Sequence, residues 1–164
     1  MAEDMISTLA RKFKVEVMPG AEDPATDSWL PLRGVQELTT SKEDNLEDDS
    51  DYDSDGWTSQ VRTGQSWSVE AKVARKQSGG ADALAYDPGQ ELVRAASDQF
   101  GIDGTVRVRW FNRNGGDEAY MGLAQAGFTD DGGASTALST ATITLTGTGK
   151  RERITNPSEE VPAG

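Results

Sequence analysis

The first regular pattern of apolar and polar positions begins at Lys12: Phe13, Val15 and Val17 alternate with Lys12, Lys14 and Glu16, which predicts a half-buried strand stopped by Pro19-Gly20. A second strand is expected over 29–35, with Pro31 confining it to an edge or a bulge. Further on, 59–63 and 66–75 read as strands with Thr63-Gly64-Gln65 as the turn between them. In the second of these, Trp67, Val69, Ala71 and Val73 share one face. Residues 77–83 read as a loop. Three more strands follow at 105–111, 119–128 and 137–147. In them Val106, Val108 and Trp110 oppose Arg107 and Arg109, and Ala141, Ile143 and Leu145 oppose a run of threonines.

One segment has helical rather than strand period. Asp87 is placed to cap it, Pro88 suits the first helical position and Gln90 sits three residues on. Leu92, Ala96 and Phe100 then recur at intervals of four with Val93 beside them, and Gly101 suits a left-handed C-terminal cap, so the helix is expected over 87–101. Residues 39–57 carry no apolar period and read as a long exposed loop, the kind that is functional or disordered when found in a compact domain. Residues 1–9 read as a flexible arm and 155–164 as a loose tail, leaving one β domain over 10–154. Many short strands and one helix predict a mainly β fold, an antiparallel β-sandwich or barrel with one flanking α-helix.

Charge sharpens the loop. Eight acids lie between Glu43 and Asp55; the rest of the chain holds 20 acids against 16 bases, within a total formal charge of −12. A chain so poor in basic clusters should not grip nucleic acid. It has neither Cys nor His, which removes thiolate nucleophiles, His-based triads and the commonest metal ligands, so no enzyme and no cofactor are expected. Asp51-Tyr52-Asp53-Ser54-Asp55-Gly56 matches the first half of an EF-hand loop, but its twelfth position is Arg62 instead of Glu and strand pattern follows it. Asp51, Asp53 and Asp55 remain candidates for a weak divalent-cation site, the sole support for an alternative reading as a Ca²⁺-responsive β-sandwich binding or adhesion module. The acidic N-terminus, lacking an apolar stretch behind it, is unlike a secretory leader, and no segment is long and apolar enough to span a membrane.

Several words then recur in a fixed order: Gly34-Val35, the Asp-rich segment ending in Gly56-Trp57, Thr63-Gly64-Gln65-Ser66-Trp67, and Lys72-Val73-Ala74-Arg75-Lys76. They are followed by Tyr86-Asp87-Pro88-Gly89-Gln90-Glu91, Val108-Arg109-Trp110-Phe111, Glu118-Ala119-Tyr120, the Thr-rich run 140–149 and Ile154-Thr155-Asn156-Pro157. Over roughly residues 10–157 this order resembles the major tail tube proteins of siphophages that infect actinobacteria. The resemblance implies a β-sandwich with one flanking helix and sixfold rings stacked into a tube, whose inner wall faces passing DNA without binding it specifically. It implies a virion tail protein assembled in the host cytoplasm around a tape-measure protein, on a distal tail protein, and closed by a tail terminator. The tube of a contractile tail is a close relative in fold.

The resemblance also implies a long loop that reaches the adjacent ring. The acidic segment is the expected loop, with Leu46, Tyr52 and Trp57 as apolar anchors and Asp48 and Asp49 among its charges. Lys72, Arg75 and Lys76, or Lys150, Arg151 and Arg153, are the expected partners on the neighbour. Leu92, Ala96 and Phe100 are expected to dock the helix on the sheet.

Overall fold

The computed structural model describes residues 13–24, 28–79 and 84–159; the arm expected at 1–9 lies outside them. In chain order the elements are β1 (Phe13–Pro19), β2 (Leu30–Pro31), β3 (Val35–Asp48), β4 (Gln60–Ala74), β5 (Gln77–Ser78), β6 (Ala85–Tyr86), α1 (Pro88–Ser97), β7 (Thr105–Asn112), β8 (Ala119–Asp130), β9 (Thr140–Gly147) and β10 (Glu152–Arg153). All but β5 and β6 form one sheet in the order β2-β1-β7-β8-β9-β4-β3, with β10 beside the start of β8. Every pairing in it is antiparallel.

The alternation seen in the sequence sets which face is apolar. Val15 and Val17, Val106 and Val108, Ile143 and Leu145, and Val69 and Val73 all point into one core, each at most 2% exposed. The sheet curls around that core. Phe13 on β1 and Leu38 and Thr40 on β3, near opposite ends of the strand order, line a single cavity of about 340 Å³ together with Trp110 and Tyr120. Trp67 and Trp110 meet at 5.6 Å between ring centroids, although two strands separate β4 from β7.

Helix α1 closes the open side of the curl. Asp87 accepts a hydrogen bond from the Gln90 amide at 3.2 Å, and Pro88 opens the helix as its sequence predicts. Val93 is fully buried and Ala96 is 7% exposed, while Leu92 packs against the same core from a half-buried position. The helix stops at Ser97 rather than at 101, because the Asp98 amide already closes onto the Ala95 and Ala96 carbonyls. Gly101, at φ 65°, opens a separate 3-10 turn. Phe100 is thereby carried past the helix and stands 94% exposed, so it takes no part in docking. Phe100→Ala should change stability by no more than about 0.5 kcal/mol, whereas Val93→Ala should cost about 1.5–3 kcal/mol. Urea unfolding of the two variants checks the contrast.

Three other expectations change. The long loop expected at 39–57 is mostly strand: β3 runs to Asp48, and only residues 49–59 form the connection. Thr63-Gly64-Gln65 is not a turn but a bulge inside one continuous β4, where the register skips Thr63 opposite Asn45 and Leu46. The tail is tied down at its start, since Asn156 is 2% exposed and its Nδ2 donates to the carbonyls of Asn112 and Gly116 at 2.9 and 3.2 Å.

Candidate assembly surface

The pairing of β4 with β9 ends at Ser68 and Thr146, yet β4 and β3 remain paired to Gln60 and Asp48. From Lys42 to Asp48 the β3–β4 hairpin therefore projects beyond the body of the sheet, by about 20 Å at the usual strand rise. A two-stranded ribbon is marginal in water by itself. The Arg62–Asp44 ion pair (3.3 Å) and the Asn45–Thr63 side-chain hydrogen bond (2.9 Å) brace this one. At the tip, Asp51 caps a 3-10 turn over Tyr52–Ser54: its carboxylate accepts from the Asp53 amide at 3.0 Å and the Ser54 hydroxyl at 3.3 Å. Asp55 then turns left-handed at φ 50°. Hydrogen bonds from the Ser50 hydroxyl and amide hold the Asp48 carboxyl below its usual range.

This geometry separates the expected site residues. Leu46, Tyr52 and Trp57 all lie on the hairpin and are exposed, Tyr52 completely and Trp57 at 80%, with Asp48 and Asp49 beside them where β3 ends. Val61, which the sequence reading passed over, is a fourth exposed apolar residue there. It pairs with Glu47 while Leu46 pairs with Arg62, so the ribbon carries an apolar side chain on each face. Asp51, Asp53 and Asp55 do not converge on a cation: among the described residues no group of three or more acids is arranged to hold a metal.

The cations divide as well. Arg75 is not a free partner. Its side chain is 5% exposed, donates to Glu91 at 2.8 Å and Gln90 at 2.9 Å, and lies over the Tyr86 ring at 3.8 Å. Gln90, fully buried, donates in turn to the Arg33 and Ala74 carbonyls at 2.6 and 3.2 Å, locking the start of β3 and the end of β4 to the helix. Sequence reasoning treated Gln90 as a capping residue; only the fold shows the second role. Lys72 faces Asp131, whose carboxyl is held low by the hydroxyls of Thr142 and Thr140, each at 2.8 Å, with Lys72 adding to the effect. Lys150 and Arg151 line a concavity of about 430 Å³ with Lys42 and Trp67 at the root of the hairpin. Arg151 also lies over the Tyr120 ring at 4.4 Å, and Arg153 donates to the Asp117 carbonyl at 3.3 Å. Lys76 is exposed.

Two further surfaces are open. Among the described residues the outer edge of β3 has no strand beside it along its whole length, and β2 covers only Glu16 and Val17 of the opposite edge. The face of β3, β4 and β9 turned away from the core is mostly polar, with Val61 near the tip of the ribbon and Ala74 at the far end of β4 as its apolar members. Thr39, Glu70 and Thr144 form one cross-strand row on it, Ser41, Ser68 and Thr146 the next, and the Ser41 and Ser68 hydroxyls lie 2.6 Å apart. No helix among the described residues is long and apolar enough to cross a membrane.

Among the described residues the chain is a curled antiparallel sheet closed by one helix, with a long projecting hairpin and a bare strand edge. No protein-family model matches the chain, and no curated protein matches it. Solved structures do. The chain is similar to the tail of an empty gene transfer agent particle refined with C6 symmetry, at a TM-score of 0.67 and 11% identity, covering 90% of this chain and 99% of that one. It is similar to the SPP1 tail tube at a TM-score of 0.65 and 14% identity, over 96% and 88% of the two chains. An anti-feeding prophage baseplate, symmetrised six-fold, matches at a TM-score of 0.54 and 10% identity, over 96% and 99%.

Proposed function

We propose that this chain is the structural subunit of a phage-type tail tube, forming hexameric rings that stack into a conduit for DNA. The observation that carries this reading is the β3–β4 hairpin. It extends about 20 Å past the sheet with apolar residues on both faces and an unpaired strand edge, and a neighbouring copy would cover all three. Exposed edges invite pairing with another chain, and closing them around a ring removes the liability. The polar face of β3, β4 and β9 suits the wall of such a conduit. DNA carries one negative charge per ~1.7 Å of axis, so a hydroxyl-rich face on which Glu37, Glu43 and Glu70 outnumber Lys72 would let it slide where a basic wall would hold it.

Within this reading the tail is long and non-contractile, like those of siphophages that infect actinobacteria. The tube assembles in the host cytoplasm around a tape-measure protein, from a distal tail protein to a tail terminator, and is carried in the virion. Its role is structural, with no catalytic centre and no cofactor. Negative-stain microscopy of the concentrated protein should show rings or tubes of uniform width. A species that sediments as a monomer at every concentration, with no particles on the grid, would sink the proposal.

A further inference from the structure

We infer that the bulge at Thr63 is a face switch: it keeps Arg62 off the side of the ribbon that continues the conduit wall. This rests on the tube reading and adds which residue sets the charge of the wall where the hairpin leaves the sheet. The register of β3 with β4 fixes the two faces. Lys42 pairs with Trp67 and Asp44 with Gln65 on the side of the core, while Ser41, Glu43 and Asn45 pair with Ser68, Ser66 and Gly64 on the polar side. In an unbroken ladder Thr63 would come next, opposite Leu46, and Arg62 would stand opposite Glu47 on the polar side. A one-residue slip moves every later side chain to the other face. The bulge makes that slip by inserting Thr63, so Arg62 pairs with Leu46 and Val61 with Glu47. The cation and an apolar residue have exchanged sides.

The side chains around the bulge hold this arrangement. Thr63 Oγ1 accepts from Asn45 Nδ2 at 2.9 Å and donates to the Asn45 carbonyl at 3.3 Å, which fastens the inserted residue to the one it faces. Arg62 reaches the Asp44 carboxylate at 3.3 Å, and Lys42 lies 3.8 Å from the same group. These two are the only bases between Val35 and Trp67, and the register sets both on the side of the core. Among the described residues the one base that β3, β4 and β9 place on the polar side is Lys72. It pairs with Glu37 in register, and its charge acts on Asp131. From Glu43 to Glu47 the polar side therefore carries carboxylates and no cation. Phosphates that meet a guanidinium release counterions and bind, so an Arg62 on that side, repeated in every subunit along a tube, would hold the passing duplex.

Deletion of Thr63 restores the unbroken ladder and so tests the switch. Assembled tubes are incubated at low salt with a short fluorescent DNA duplex, treated with nuclease and sedimented, and the protected label is counted. Tubes lacking Thr63 should retain roughly tenfold more protected DNA than wild type, and adding Arg62→Gln to the deletion should return retention to the wild-type level. Ser66→Arg and Gln65→Arg probe the two faces with the bulge intact, at neighbouring exposed positions. Only Ser66→Arg should retain DNA, and this pair decides the matter if the deletion variant does not assemble. Equal retention by the pair overturns the inference and leaves the tube reading standing. So does a deletion variant whose tubes retain no more DNA than wild type, or whose retention survives Arg62→Gln. A wild-type protein that never assembles overturns both.

Discussion

Trp67→Ala should cost about 3–5 kcal/mol of folding stability, the range for removing a large buried aromatic. That is a large share of the ~5–15 kcal/mol by which a domain is stable, and it corresponds to a fall in Tm on the order of 10 °C. The site explains the size. The indole is 6% exposed, its Nε1–H donates to the Gly149 carbonyl at 2.9 Å, and the ring leans on Trp110. It lies flat across two neighbouring strands because both are bare beneath it: a Cβ on Gly122 of β8 or Gly147 of β9 would fall on the ring. Removal leaves a cavity between the two strands and breaks the hydrogen bond to the Gly149 carbonyl. The two glycines give an independent check, since Gly122→Ala should destabilise by overpacking, by about 1–3 kcal/mol. Combined with Trp67→Ala it should cost less than the sum, because the added methyl enters the vacated space. Chemical denaturation of the cycle measures this; a Trp67→Ala loss below ~1 kcal/mol, or strict additivity, would mean that the indole does not close the core.

Much of this core could be read along the chain, for a physical reason. β7 and β9 bury one face and set mostly polar, less buried residues on the other, so Val106, Val108 and Trp110, and Ala141, Ile143 and Leu145, print a period of two. The start of α1 was equally plain, because Asp87 and Pro88 act locally. β3 could not be read in this way. From Val35 to Asp48 only Leu38 is even half-buried, so the strand shows no apolar alternation and owes its form to backbone pairing with β4, 12 to 38 residues away. The bulge at Thr63 was mistaken for a turn because glycine marks both. Phe100 continues the spacing of Leu92 and Ala96, but the period says nothing of where the helix stops, and the turn after Ser97 had already redirected the chain. Arg75 and Lys76 look alike in sequence. Only the fold buries one between Glu91 and Tyr86 and leaves the other in solvent. The candidate surface was thus legible as an acidic segment with aromatic anchors, but neither its hairpin form nor the end of the sheet it projects from was.

Replacing residues 43–65 with a short turn should leave the domain folded and abolish tube growth. Folding survives because the excised ribbon pairs only with itself: β9 joins β4 from Ser68 onward, and the core begins at Trp67. The exposed Leu46, Val61, Tyr52 and Trp57 contribute nothing to the subunit's own interior. Assembly should fail because the same four side chains, with both faces and the free edge of the ribbon, are what a neighbour would cover in the proposed tube. The eight acids of the segment repel one another, so the ribbon meets its partner through individually weak and screened charge pairs. Wild-type growth should therefore weaken with added salt, while the apolar anchors keep it from vanishing. Melting curves and near-ultraviolet circular dichroism report on the fold, sedimentation velocity and microscopy on assembly. A truncated protein that melts normally and stops at monomers or single rings is the expected result. One that still grows long tubes would show that the hairpin is not what joins the rings.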